Sequence, residues 1–227
     1  IAITSSVSLY LAKTRIRFSL GHDNKIMKEL FFLSLPVGIT LLFNVAYFRI
    51  DSIILALTRT TAEVGAYGFA YKIFEFLLVI PSFFMNSLYP ILLEEQNNKI
   101  DQNGKTMGML VKKSAVLLFV AGCVIACFMY AGAPVIAALK GFDASILPLR
   151  ILSLSLPFFF LTSLFMWLMI VRSKQKRLAY IYACSLAINC IGNALAIPRF
   201  GMTAAAIMTG VTEMMTLLFL VYSVSKK

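Results

Sequence analysis

Six long apolar runs follow one another along this chain, and each is long enough to cross a bilayer. A helix rising about 1.5 Å per residue needs about 20 residues to cross about 30 Å of hydrocarbon. The runs cover residues 31–57, 66–91, 110–131, 148–171, 178–197 and 202–223. A backbone in lipid must satisfy its own hydrogen bonds, so continuous runs of this kind predict helices. They lack the alternation of an outer-membrane barrel. The expected fold class is therefore all-α: a polytopic transmembrane helix bundle of six spans plus the end of a preceding helix. That end is "IAITSSVSLYLA", residues 1–12, and a chain opening on it reads as a fragment of something longer. A cytoplasmic basic loop over 13–30, the six-helix lobe over 31–223 and a cytoplasmic tail over 224–227 complete the expected organisation.

Charge sets the orientation. The chain is 60% hydrophobic and only 14% charged, against about 25% charged in a soluble domain. Its net charge of +11 comes from short basic clusters between the apolar runs. No basic groove with interleaved aromatics is present, so nucleic acid is not an expected partner. Fifteen Lys and Arg residues fall on one side of the six spans, among them "RSKQKR" at 172–177, and four on the other: Arg59, Lys140, Arg150 and Arg199. The basic side is expected to be cytoplasmic, which puts a multi-pass protein in the inner membrane with its C-terminus inside. Neither a signal peptide nor a Gly-rich phosphate loop is found.

Several features read as packing. Cys123, Cys127, Cys184 and Cys190 lie in apolar runs and read as small packing residues. His22 is the single histidine, so no metal centre is expected. Pro36, Pro81 and Pro157 lie within spans, where kinks are expected. The last span opens "GMTAAAIMTG", whose small residues suit close helix packing. The external stretch 132–147, broken by Gly132, Pro134 and Gly141, reads as a short interfacial or re-entrant helix rather than a span.

The candidate functional residues are the charges left inside the spans: Arg49, Asp51, Lys72, Glu75 and Glu213. Span 31–57 holds sixteen Ile, Leu, Phe and Val residues, which contribute on the order of −7 kcal/mol to insertion. Two central charges cost about 5–7 kcal/mol, so Arg49 and Asp51 should face protein or a water-filled cavity rather than lipid. The first two spans form a hairpin. With its tip taken at residue 62, Arg49 and Glu75 lie level, and Asp51 and Lys72 nearly so. Arg49 and Asp51 are about 200° apart around a helix, so both couples cannot form. The expected arrangement sets Asp51 toward Lys72 and leaves Arg49 toward a cavity. Glu213 has Thr209 and Thr216 on its face, and Asn189 and Asn193, four apart on the fifth span, are set to line the same interior or to bond between helices.

"LPVGITLLFNVAYFRIDSIILAL" and "EVGAYGFAYKIFEFLLVIPSFFMNSLYPILL" resemble the polysaccharide exporters and O-antigen (Wzx-type) flippases, which serve lipopolysaccharide and polysaccharide biosynthesis as transporters. These belong to the multidrug/oligosaccharidyl-lipid/polysaccharide flippase superfamily. "LKGFDASILPLRILSLSLPFFFL" and "IYACSLAINCIGNALAIPRFGMTAAAIMTGVTE" fit the closing half of the same family. The resemblance covers about residues 30–223 and rests on the order of loose motifs. It implies two six-helix lobes around a V-shaped cavity, this chain being the C-terminal one, that work by alternating access. The implied cargo is a polyprenyl-diphosphate-linked oligosaccharide moved from the cytoplasmic to the outer leaflet, its diphosphate meeting Arg49 and Lys72. The implied partners are membrane lipid, the missing N-terminal lobe of the same chain and other glycan-assembly proteins. No cofactor is implied beyond a coupling ion, H+ or Na+.

Two other functions compete with this one. A multidrug or toxin extrusion antiporter shares the fold, but an acid-dominated cavity would suit its cationic cargo, and here Arg49 and Lys72 stand among the acids. An integral-membrane glycan enzyme needs paired catalytic groups near a membrane face. His22 is unaccompanied, so the expectation is a transporter and not an enzyme.

Overall fold

The computed structural model describes residues 24–97, 105–138 and 141–225. The expected helix end at 1–12, most of the basic loop, the polar stretch 98–104 and Lys226–Lys227 lie outside the described residues. The chain divides into two compact units, residues 1–35 and 36–227. Of the first, residues 24–35 are described, and all are helical. The second holds the helix bundle.

Among the described residues the secondary structure is helical throughout. The elements are α1 (Asn24–Thr58), α2 (Thr61–Leu77), α3 (Val79–Asn97), α4 (Lys105–Ala138), a 3-10 turn (Asp143–Ser145), α5 (Ile146–Val171) and α6 (Gln175–Ser225). Five segments are long and apolar enough to cross a membrane: 41–58, 61–96, 106–138, 143–171 and 175–225. The last is two arms, 175–200 and 202–225, joined at Gly201, whose φ of 61° and ψ of −146° are not helical. Each arm exceeds the length a crossing needs.

Helices outrun the apolar stretches that announce them. The described helix begins at Asn24, inside the stretch read as a basic loop, because Lys and Glu are good helix formers once a helix is nucleated. The second apolar run is broken at Leu78, three residues before Pro81. A proline removes the bond to the carbonyl four residues earlier and crowds it, so the disruption falls one turn before the ring. The kink expected at Pro36 falls at a residue whose side chain is not described.

The expected interfacial helix over 132–147 is not what forms. α4 runs through Gly132 and Pro134 to Ala138, and only Asp143–Ser145 makes a short 3-10 turn. Pro134 deprives the Tyr130 carbonyl of its helical donor. Arg150 supplies one instead: its Nε donates to Tyr130 O at 3.3 Å, with the guanidinium 5.0 Å from the Tyr130 ring centroid.

α5 is the central helix. Over half of its spanning segment is buried, against about a fifth of those in α1 to α4. It contacts α2, α3, α4 and α6. A helix apolar on all sides suits that position. Leu149, Leu152, Leu156, Phe160 and Leu164 are among its fully buried side chains, in one core with Leu55, Phe74 and Met85. α4 crosses α5 closely: a Cβ on Gly122 would lie 2.8 Å from Pro157 Cα. Ala204, Ala205 and Ala206 are buried in the same core, as their small-residue pattern predicts.

Candidate functional site

α1 has two faces because its residues step about 100° around the axis. Tyr47, Asp51 and Leu55, four apart, are buried, while Val45, Arg49 and Ile53, also four apart, are on the exposed face. Arg49 therefore points out of the lobe and Asp51 into it. On the outer face Arg49 Nη2 donates to Glu75 Oε1 at 2.7 Å. Lys72 Nζ lies 3.7 Å from the other carboxylate oxygen. Two cations and one anion thus form a ridge on α1 and α2, with the Arg49 side chain 48% and the Lys72 side chain 78% exposed.

Asp51 does not turn to Lys72, contrary to expectation. Its Oδ2 accepts a short bond from the Tyr67 hydroxyl and one from Thr209 Oγ1 at 3.3 Å, while Oδ1 accepts from Ser52 N at 2.6 Å. The reason is register. α1 and α2 meet at Arg59 and Thr60, not at residue 62, because Thr60 caps α2 and accepts from Glu63 N at 3.3 Å. That turn sets Asp51 level with Tyr67 and Phe48 level with Tyr71, whose hydroxyl donates to Phe48 O at 2.7 Å. Arg49 reaches Glu75, about one turn further down, by the length of its side chain.

Behind Asp51 a chain of buried polar groups runs through the lobe. The Tyr47 hydroxyl lies 3.0 Å from Glu213 Oε2 and 3.2 Å from Thr212 Oγ1. Asn189 Nδ2 donates to Thr212 Oγ1 at 2.9 Å, and Asn193 Nδ2 to Asn189 Oδ1 at 2.6 Å. Asn189 thus bonds between the two arms of α6, and Asn193 bonds Asn189 within the first arm. The two threonines on the face of Glu213 bond elsewhere. Thr209 goes to Asp51, and Thr216 donates to Ser185 Oγ at 2.8 Å.

Asp51 and Glu213 are each 2% exposed, and among the described residues neither is paired with a Lys or Arg. Glu213 Oε1, Thr162 Oγ1 and Asn193 Oδ1 are buried without a hydrogen-bond partner. Glu213 and Thr162 share a cavity of about 150 Å³ with Asn44, Ser82, Ser163 and Tyr182 in its wall. The rest of that wall is apolar: Phe48, Leu78, Pro81, Phe159 and Met166. Among the described residues no three His, Cys, Asp or Glu side chains gather as a metal cluster. Sequence reasoning missed Tyr47, Tyr67, Thr162 and Tyr182, whose polar ends carry no weight in a hydropathy count.

At the far end of α1 a further contact holds the break in α6. The last carbonyls of a helix lack intrahelical donors. Arg59 Nε donates to one of them, Ile197 O, at 3.1 Å and lies 3.9 Å from Glu63 Oε2.

Comparison with known proteins fits this geometry. The profile of a family described as "Polysaccharide biosynthesis protein" matches residues 1–96. No curated protein matches the chain. Among solved structures it is similar to a multidrug resistance MATE family transporter of the MOP superfamily in an outward-facing conformation, with a TM-score of 0.71 at 16% identity. The match covers 84% of this chain and 43% of that transporter, so the chain spans less than half its length. The chain has the fold of part of a multi-pass membrane transporter.

Proposed function

We propose that this chain is the C-terminal lobe of a flippase that moves a polyprenyl-diphosphate-linked oligosaccharide, such as an O-antigen unit, from the cytoplasmic to the outer leaflet by alternating access. The observation that carries this reading is the ridge of Arg49, Glu75 and Lys72. It lies within membrane-crossing segments, is exposed, and has one cation more than it has anions. Charges at that depth face protein or water, and an anionic diphosphate suits the excess cation. The profile match to polysaccharide biosynthesis proteins supports the cargo class. In this reading the chain works as a transporter rather than an enzyme, with an N-terminal lobe, membrane lipid and other glycan-assembly proteins as its partners.

The buried carboxyls supply the coupling step. An ionised carboxylate without a partner is costly in a low-dielectric interior, and a proton or a sodium ion on Asp51 or Glu213 removes the cost. Loading and release of that ion would then bias which side of the membrane the lobes open to. A second reading, extrusion of cationic drugs, draws on the likeness to a multidrug transporter and would use the same two carboxyls.

The test is rescue of surface glycan in a flippase-null strain by the intact protein. Wild type should restore the glycan, and Arg49→Ala should not, at equal membrane abundance. Drug resistance without glycan rescue would move the assignment to the second reading.

A further inference from the structure

A second cavity lies between the two arms of α6, near the ends remote from Gly201. It measures about 210 Å³ and is lined by Arg177, Ile181 and Cys184 from one arm and Phe219, Tyr222 and Ser223 from the other, with Tyr180 at its edge. Arg177, Ile181 and Cys184 follow the i, i+4, i+7 spacing that lines one face of a helix. The arms run antiparallel, and at this end Arg172 Nη1 donates to Val224 O at 2.8 Å. The bonds Thr216 to Ser185 and Asn189 to Thr212 set the register, so Arg177 sits about level with Ser223 at the mouth and Cys184 about level with Leu217 further in. One end of the groove is cationic and hydroxylic, and the other is apolar.

The depth of this mouth is set by the same helix. Ile197, bound by Arg59, lies twenty residues beyond Arg177, which is about 30 Å along an α-helix, the thickness of bilayer hydrocarbon. With Arg59 at one surface, Arg177 reaches the other, among Arg172, Lys174 and Lys176. Tyr180 and Tyr222, 71% and 61% exposed, stand where interfacial tyrosines anchor. Ser223 is only 3% exposed, yet its hydroxyl has no hydrogen-bond partner.

We infer that this groove holds one anionic phospholipid of the surrounding leaflet. Its phosphate meets Arg177 at the mouth, and the start of an acyl chain lies along Ile181, Cys184 and Phe219. A single phosphate diester matches the one guanidinium in the wall. The inference depends on the membrane location of the chain and not on which cargo it carries.

The groove contains its own reporter. The intact protein is placed in nanodiscs of phosphatidylcholine, or of equal parts phosphatidylcholine and phosphatidylglycerol, and treated with a membrane-permeant maleimide. Modification of Cys184 is read by peptide mass, with Cys127, exposed on α4, as the internal reference. Phosphatidylglycerol should slow Cys184 several-fold and leave Cys127 unchanged. Arg177→Gln, which feels the same surface potential, should lose that protection. Equal Cys184 rates in the two lipids overturn the inference without any variant being needed. So does protection that survives Arg177→Gln. Protection by a polyprenyl phosphate in phosphatidylcholine, but not by phosphatidylglycerol, overturns it in favour of the carrier lipid.

Discussion

The hydroxyl of Tyr47 donates to Glu213 Oε2 at 3.0 Å, closing a contact between residues 166 apart in the chain. It ties α1 to the second arm of α6 at a carboxyl whose other oxygen is buried without a partner.

Tyr47→Phe removes the donor and leaves both oxygens of Glu213 without one. A buried acceptor stranded in this way costs about 1–3 kcal/mol, so thermal unfolding in detergent should shift down by several degrees. Glu213→Gln keeps an acceptor for Tyr47 but cannot carry a proton or sodium ion reversibly. Its unfolding temperature should stay near wild type while transport falls at least about tenfold, a barrier change of about 1.4 kcal/mol. Transport equal to wild type in Glu213→Gln would show that the carboxyl is only a packing group.

Asp51 holds Tyr67 and Thr209 at once. Asp51→Ala strands the Tyr67 hydroxyl, while Thr209 keeps its bond to Ala205 O at 2.9 Å, and should destabilise the lobe by about 1–3 kcal/mol. Asp51→Asn keeps an acceptor and should recover most of that loss. Thermal melts of the two variants side by side decide the matter, and equal melts would mean these bonds contribute nothing.

Arg49 and Glu75 give the opposite expectation. A well-hydrated ion pair is worth about 0–1 kcal/mol, so Arg49→Ala should melt near wild type yet lose glycan rescue. A melt lowered by several kcal/mol, with rescue intact, would make the pair a pin facing lipid and remove the basis for a cargo surface.

Gly201 occupies a backbone region that is essentially glycine's alone. A Cβ there would also come 2.5 Å from Glu63 Oε2. Gly201→Ala should cost at least about 1–3 kcal/mol, seen as reduced folded yield. Combining it with Glu63→Ala relieves the clash but not the strain, so yield should recover only in part.

Some of this arrangement is legible in the sequence. The 100° step separates Arg49 from Asp51, but the expected choice between the two couples is reversed, since it is Arg49 that pairs, with Glu75. A hairpin tip at residue 62 gives Asp51 the wrong partner. Thr60 and Glu63 have the spacing of a capping box, and that signal marks the turn at 59–60 and sets Asp51 opposite Tyr67. The contact from Tyr47 to Glu213 is out of reach for another reason: it depends on which helices are neighbours in the bundle, and periodicity within a segment carries no such information. The persistence of α4 through Pro134 depends likewise on Arg150, twenty residues beyond the carbonyl it serves.

The break at Gly201 also decides a matter of parity. Run straight, the 51 residues of α6 would extend about 76 Å, more than twice the thickness of the hydrocarbon, and would cross it once. Folded at Gly201, the same residues cross twice and return the chain to the surface from which α6 set out. The side of the membrane on which residue 225 emerges therefore hangs on a single backbone angle, and Arg59, through its bond to Ile197, braces the joint that sets it.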